Sequence, residues 1–236
     1  MIARLQEEIV LGPVDYPRLG RAIIVRPTVE TLRVNRFPTQ AIVVTAVARK
    51  LIELVRASEK IQALMVEGGN ESPTKHPEFH QICENVRLLL DKHFPKAVMC
   101  LVTDATPLDS PNLRHALTFF DQTILRLDAG TQKTWAALTG ANPKHFKDVV
   151  ESLGRIGADR VIVQTRFVRG EVDNSNENEV KAWIRHLTEI RPVGVHITTP
   201  AKAKGKKEIP VTKSRMSQIA ELVTTKTGIP VEVLAS

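Results

Sequence analysis

The residues best placed to do chemistry in this 236-residue chain lie in one loop, Gly68-Gly69-Asn70-Glu71-Ser72-Pro73-Thr74-Lys75-His76-Pro77. It follows the apolar run Ala63-Leu64-Met65-Val66, which reads as a strand, and precedes a helical pattern that starts near Glu78. A strand, a glycine turn and a helix make a βα-loop, the place where α/β proteins hold ligands. Gly68, Gly69 and Asn70 are its candidate ligand-binding residues, and Thr103, Asp104 and Asp128 stand at comparable positions after other apolar runs. Asp104, Asp128, Arg166 and Arg169 fall near predicted strand ends and are candidates for acid–base or charge-stabilising roles. Asp104, Asp109 and Asp128 could together hold a hard cation. For Asp128 alone, a helix cap is the plainer reading.

His76, His80 and Cys83, with Glu84 adjacent, have spacings that a helix would bring to one face, as two imidazoles binding a metal require. The plainer reading leaves His76 in the loop and the others on the surface or in the core, so no metal site is expected. The chain has only two cysteines, Cys83 in a helical pattern and Cys100 in an apolar run. Buried, reduced thiols that behave as small hydrophobes are expected at both. Two cysteines on different elements cannot supply a three-thiolate cluster motif. No GxSxG elbow, Walker loop or HExxH helix is present.

The elements that must position these residues alternate. Strands are predicted at 22–25, 63–66, 98–102, 124–127, 160–167, 194–197 and 230–234. Helices are predicted at 39–55, 78–90, a short one opened by Ser110-Pro111, 142–153, 176–190 and 214–226. In the first helix Val43, Val47, Leu51 and Leu54 share one face. Glu179 is placed for a capping box at the start of the helix from Asn176. The repeated βα pattern predicts a parallel sheet with helices outside it, either curled into a barrel or partial barrel, or open and doubly wound. No linker or low-complexity tract divides the chain, so one domain, 1–236, is expected.

Hydrophobic residues make up 42% and charged residues 25%, enough for a large core in an α/β protein. No apolar stretch approaches the roughly 18 residues of a membrane span, and the N-terminal residues carry acids, so a cytoplasmic location without membrane contact is expected. The net charge is +7 and the pI about 9.6. Much of the excess lies in Lys202-Ala203-Lys204-Gly205-Lys206-Lys207. That segment is either a solvated loop or a phosphate-contacting one, with Lys202, Lys204, Lys206 and Lys207 as candidate nucleic-acid contacts. Aromatics at 4% count against base stacking.

Several segments, in order, resemble one family. Residues 69–77 resemble the glycine loop of radical S-adenosylmethionine enzymes, GNGEPTLHP in one branch. Gly12 to Arg21 resembles the GPVPSRRLGRS segment of a branch near the wyosine tRNA-modifying enzymes. Leu101 to Asp104 stands where that branch has LTN. Leu127-Asp128-Ala129-Gly130 matches its SLDAG turn, and Phe167 to Gly170 with Asp173-Asn174 resembles LVRGVND. Val211 to Val233 resembles its closing helix and strand. The resemblance covers nearly the whole chain and implies a TIM-barrel-like partial (β/α)6 barrel, with S-adenosylmethionine and a [4Fe-4S] cluster as cofactors.

The departures from the family decide the expected function. Where the family has CxxxCxxC, residues 25–37 contain neither Cys nor His. Without the cluster, reductive cleavage of the cofactor has no electron source. Glu71 stands where the family has Gly, Ser72 where it has Glu, and Asp104 where it has an amide. No cofactor is therefore expected. Three readings follow. The first is a degenerate radical S-adenosylmethionine-like protein, a pseudoenzyme acting through a ligand or a partner such as an intact paralogue. The second is an enzyme with cluster-independent chemistry at the barrel mouth. The third is an RNA-binding module related to tRNA-modification enzymes, its partner an anionic ligand or RNA.

Overall fold

A computed structural model describes residues 7–16, 19–30, 36–104, 111–155, 161–203, 205–206 and 208–234. They form two compact units, the first drawn from 1–103 and 109–123, the second from 104–108 and 124–236. Among the described residues no helix is long and apolar enough to cross a membrane.

The first unit contains β1 (Val10–Tyr16), β2 (Gly20–Val25), α1 (Gln40–Arg56), β3 (Ala63–Val66), α2 (Phe79–His93), β4 (Val98–Asp104) and α3 (Pro111–Leu117). β2, β3 and β4 are parallel neighbours, with Ala22 opposite Ala63 and Ala63 opposite Val98. β3 is buried at every position, as expected for a strand covered on both faces. One face of these strands packs Ala22, Ala63, Met65 and Cys100 against Tyr16, Leu19, Ile24, Val98 and Val102. The stripe predicted on α1 is buried, with Ala46 added to it. α2 buries Phe79, Ile82, Cys83, Val86 and Leu90 at helical spacing. β1 falls outside the predicted strands. It pairs antiparallel with β2 and is irregular between Leu11 and Val14, which blurs the period-2 pattern that would reveal it.

The second unit contains most of β5 (Gln122–Arg126), then α4 (Gln132–Thr139), α5 (Phe146–Arg155), β6 (Val161–Arg166), β7 (Val168–Arg169), α6 (Glu177–Ile190), β8 (Gly194–Thr198), β9 (Ile209–Pro210), α7 (Lys213–Thr227) and β10 (Val231–Val233). Strand order there is β5-β6-β8-β10, with β6, β8 and β10 parallel, and β7 and β9 form a short antiparallel ribbon. α4 falls outside the predicted elements. Thr131 caps it by accepting from the Thr134 N–H, and Gly140 ends it in the left-handed region at φ 71°. The helix predicted from Asn142 begins as a 3-10 turn, Pro143–His145, before α5. Ser110, the expected cap of α3, lies outside the described residues.

The capping-box expectation for Glu179 is corrected. Asn176 caps α6 by accepting from the Asn178 and Glu179 N–H groups, both at 3.1 Å. The Glu179 carboxylate instead reaches the turn after β5. It accepts from the N–H groups of Gly130 (3.0 Å) and Thr131 (3.2 Å) and from the hydroxyls of Thr131 (2.6 Å) and Thr134 (2.7 Å). Glu179 is buried, and a buried carboxylate is tolerated only when donors surround it in this way. His186, on the same helix, bonds the Gly130 carbonyl through Nε2 at 3.0 Å. Gly130 is required by close approach: a Cβ there would lie 2.2 Å from the Glu179 carbonyl oxygen and 2.5 Å from the Trp183 nitrogen.

Glu179→Ala should destabilise the chain by about 3 kcal/mol, because buried backbone donors at the turn lose a charged acceptor. Urea denaturation monitored by circular dichroism measures it. Glu179→Gln should cost less, since its amide retains one acceptor oxygen.

Candidate functional site

The glycine loop is built from the C-terminal ends of β2 and β3 in the first unit. Arg26, just after β2, forks onto Glu67 Oε1 at 2.8 and 2.5 Å. Thr28 is fully buried. Its hydroxyl donates to the Glu71 carbonyl at 2.5 Å and accepts from the Gly69 N–H at 3.0 Å, while its carbonyl accepts from the Asn70 N–H at 3.1 Å. The Asn70 side chain accepts from the Glu30 N–H at 3.0 Å. The loop is thus laced to the 26–30 segment rather than left open.

Gly68 and Gly69 are required by this lacing. A Cβ on Gly68 would meet the Glu71 carbonyl oxygen at 2.2 Å, and one on Gly69 the Val29 nitrogen at 2.7 Å. Their glycine identity is therefore explained by chain-to-chain approach. Ser72 shares hydroxyl hydrogen bonds with Thr74 (2.9 Å) and with the buried Thr103 (2.7 Å), so Thr103 joins Gly68, Gly69 and Asn70 in one constellation. The Glu71 carboxylate accepts from Arg36 and pairs with Lys75 at 3.3 Å. The loop position thereby carries its own paired anion.

His76 is buried, and both ring nitrogens are engaged. Nε2–H donates to the Pro38 carbonyl at 2.7 Å, and Nδ1 accepts from the Glu78 N–H at 3.1 Å. It fixes the loop's exit and is not a member of a histidine–cysteine metal group. His80 stacks on His115, with ring centroids 4.7 Å apart. No group of three or more His, Cys, Asp or Glu among the described residues could hold a metal.

The residues present do not fit an iron–sulfur cluster. Cys83 on α2 and Cys100 on β4 are both fully buried and free. Burial pushes the Cys83 thiol well up. Burial, with Asp121 nearby, pushes Cys100 up to about 12. Both are inert thiols at neutral pH, whereas a cluster takes thiolates.

In the second unit Asp128 is nearly buried, and both of its oxygens are used. Oδ2 accepts from Arg126 at 2.6 Å and Oδ1 from the Arg166 N–H at 2.7 Å. The cap reading of Asp128 is corrected, because Thr131 caps the following helix. Asn174, 1% exposed, donates to the carbonyls of Asp128 (2.7 Å) and Arg166 (2.9 Å) and accepts from the Val168 N–H (2.7 Å). Arg166 pairs with Glu208 at 2.7 Å, and Arg169 donates to the Pro210 carbonyl at 3.4 Å. Arg126, Asn174 and Glu208 escaped the sequence reading. Only Asn174 left a trace there, in the Asp173-Asn174 pair. Asp104 is exposed at the end of β4, and Lys202 and Lys206 are exposed after β8. Asp109, Lys204 and Lys207 lie outside the described residues. A groove of about 550 Å³ lined by Arg49, Ile52, Glu53, Arg56 and Ala57 lies on the last turns of α1. That helix end leads into the start of β3, so the groove is remote from the glycine loop at the strand's other end.

The chain matches no protein-family model and no curated protein. Solved structures do match its fold. A radical SAM methyltransferase from Sphaerobacter thermophilus superposes with a TM-score of 0.64 at 14% identity, over 93% of this chain and 67% of that one. SuiB from Streptococcus suis gives 0.60 at 11%, over 86% of this chain and 44% of that one. Archaeal TYW1 gives 0.58 at 11%, over 87% and 72%. The chain spans less than half the length of SuiB. The shared fold is the partial α/β barrel that the sequence resemblance implied.

Neither thiol should react with a thiol reagent at pH 8 until the chain is unfolded. The folded thiols titrate above the usual value of 9.0. Their contribution to stability is therefore fully present below pH 9 and is lost as pH rises through the Cys100 value of about 12. Denaturant midpoints that do not fall above pH 9, or prompt labelling of the native chain, would contradict this assignment.

Proposed function

We propose that this chain, built on the fold of radical S-adenosylmethionine enzymes, acts without an iron–sulfur cluster, by binding an anionic ligand or a partner. The carrying observation is the placement of its only two thiols, buried on α2 and β4, while residues 25–37 offer none. The paired Glu71 carboxylate argues against S-adenosylmethionine at the glycine loop. A free ligand carboxylate approaching it would meet like charge, and the Arg36 and Lys75 cations already have an acceptor. The partner of such a protein would be an intact paralogue or a nucleic acid.

Anaerobic reconstitution with iron and sulfide should leave the chain without stoichiometric iron or thiolate-to-iron absorption. Calorimetry with S-adenosylmethionine should give no micromolar binding. If the altered loop is the cause, Glu71→Gly with Ser72→Glu should raise affinity, while Cys83→Ala should leave it unchanged.

A nucleic-acid partner is favoured by the exposed Lys202 and Lys206 in the segment after β8. Binding of tRNA through that segment should weaken linearly in log salt, because condensed counterions are released from phosphates. Alanine at Lys202, Lys204, Lys206 and Lys207 should flatten the slope with little change in melting temperature. Undetectable tRNA affinity at low salt would reduce the segment to a solvated connector.

A further inference from the structure

We infer that the ends of β5 and β6 carry a receiving site for an oxyanion, the phosphate or carboxylate group of a small ligand, held by the guanidinium groups of Arg126 and Arg166. The inference rests on the binding reading above and gives it a ligand class and a place.

Arg126 is the last residue of β5 and Arg166 the last of β6. The strands are neighbours there: the Leu127 N–H donates to the Gln164 carbonyl at 3.0 Å. One carboxylate serves both ends, since Asp128 accepts from the Arg126 guanidinium and from the Arg166 backbone. Asn174 then ties the carbonyls of Asp128 and Arg166 from beneath. Two nearly buried polar side chains thus fix a strand end whose exposed product is a pair of arginines.

A guanidinium has five N–H donors in a fixed fork. Among the described residues Arg126 gives one to Asp128 and Arg166 gives one to Glu208. The side chains are 46% and 33% exposed, so their remaining donors are open to an acceptor from solution. Each arginine is already oriented by its carboxylate, which lowers the ordering cost of taking up a ligand. Asp128 and Glu208 neutralise the two cations, and net attraction comes from the exposed Arg169, Lys202 and Lys206. Glu171 and Asp173 on the β7 turn offset part of it. The Asp173 carboxylate already accepts from the Ser175 N–H and hydroxyl. The result suits a planar or tetrahedral oxyanion that takes several N–H bonds at once, rather than a point charge.

Titration calorimetry at low ionic strength with inorganic phosphate, with succinate, and with glycerol as a neutral control tests the site. Millimolar binding of either anion is expected, with phosphate alone or succinate alone identifying the group. Arg126→Gln with Arg166→Gln should weaken binding by about tenfold or more. Lys202→Ala with Lys206→Ala should weaken it by about threefold or less. If the arginine variant does not fold, the side-chain N–H resonances of Arg126 and Arg166 in the unaltered protein give the answer. Saturable shifts with phosphate or succinate support the site, and their absence overturns it. Binding of neither anion, undiminished binding in the arginine variant, or a loss confined to the lysine variant also overturns it. None of these results bears on the iron and S-adenosylmethionine measurements, so the two readings fail separately.

Discussion

Much of the second unit depends on one buried carboxylate. Glu179 projects from the first turn of α6 into the turn after β5 and satisfies two backbone donors and two hydroxyls there. An ionised group out of water would be costly alone. With this donor set it becomes a fixed anchor, and its removal would leave the donors stranded. The anchor sets where β5 stops. It thereby sets where Asp128 and Arg126 stand, and through Asp128 and Asn174 where the end of β6 stands. Gly130 follows from the same geometry, because α6 passes too close for a side chain.

The first unit solves a similar problem with a hydroxyl. Thr28 is completely buried and uses its oxygen as donor to one side of the glycine loop and acceptor from the other. The Gly69 N–H and the Glu71 carbonyl are thereby committed to one buried side chain. The loop's two glycines make room for the chain itself, and its acidic residue is matched by Arg36 and Lys75. The N–H groups of Gly69 and Asn70 already have protein acceptors in Thr28.

The two cysteines fit the same picture. Both are fully buried, and burial raises both thiols above the range where thiolates form. Among the charged groups of the second unit that remain at least partly exposed are the arginines at the ends of β5 and β6 and the cationic residues at the end of β7 and after β8.

The helices and parallel strands were legible because their burial is periodic. Val43, Val47, Leu51 and Leu54 mark one face of α1, and the unbroken Ala63-Leu64-Met65-Val66 marks a strand covered on both sides. That the chain has only two cysteines is also plain from composition, since no folding can create thiols. What the one-dimensional pattern could not decide is where polar side chains go. Glu179 has the spacing of a capping box, and Asp128 the position of a cap, yet the partners of Glu179 lie 45 to 49 residues away in sequence and one partner of Asp128 lies 38 away. Hydrogen bonds of that span follow from how strands and helices pack. Arg126 and Glu208 carry no local motif at all. They become a candidate site only when the folded sheet brings β5 beside β6, and the segment before β9 beside Arg166.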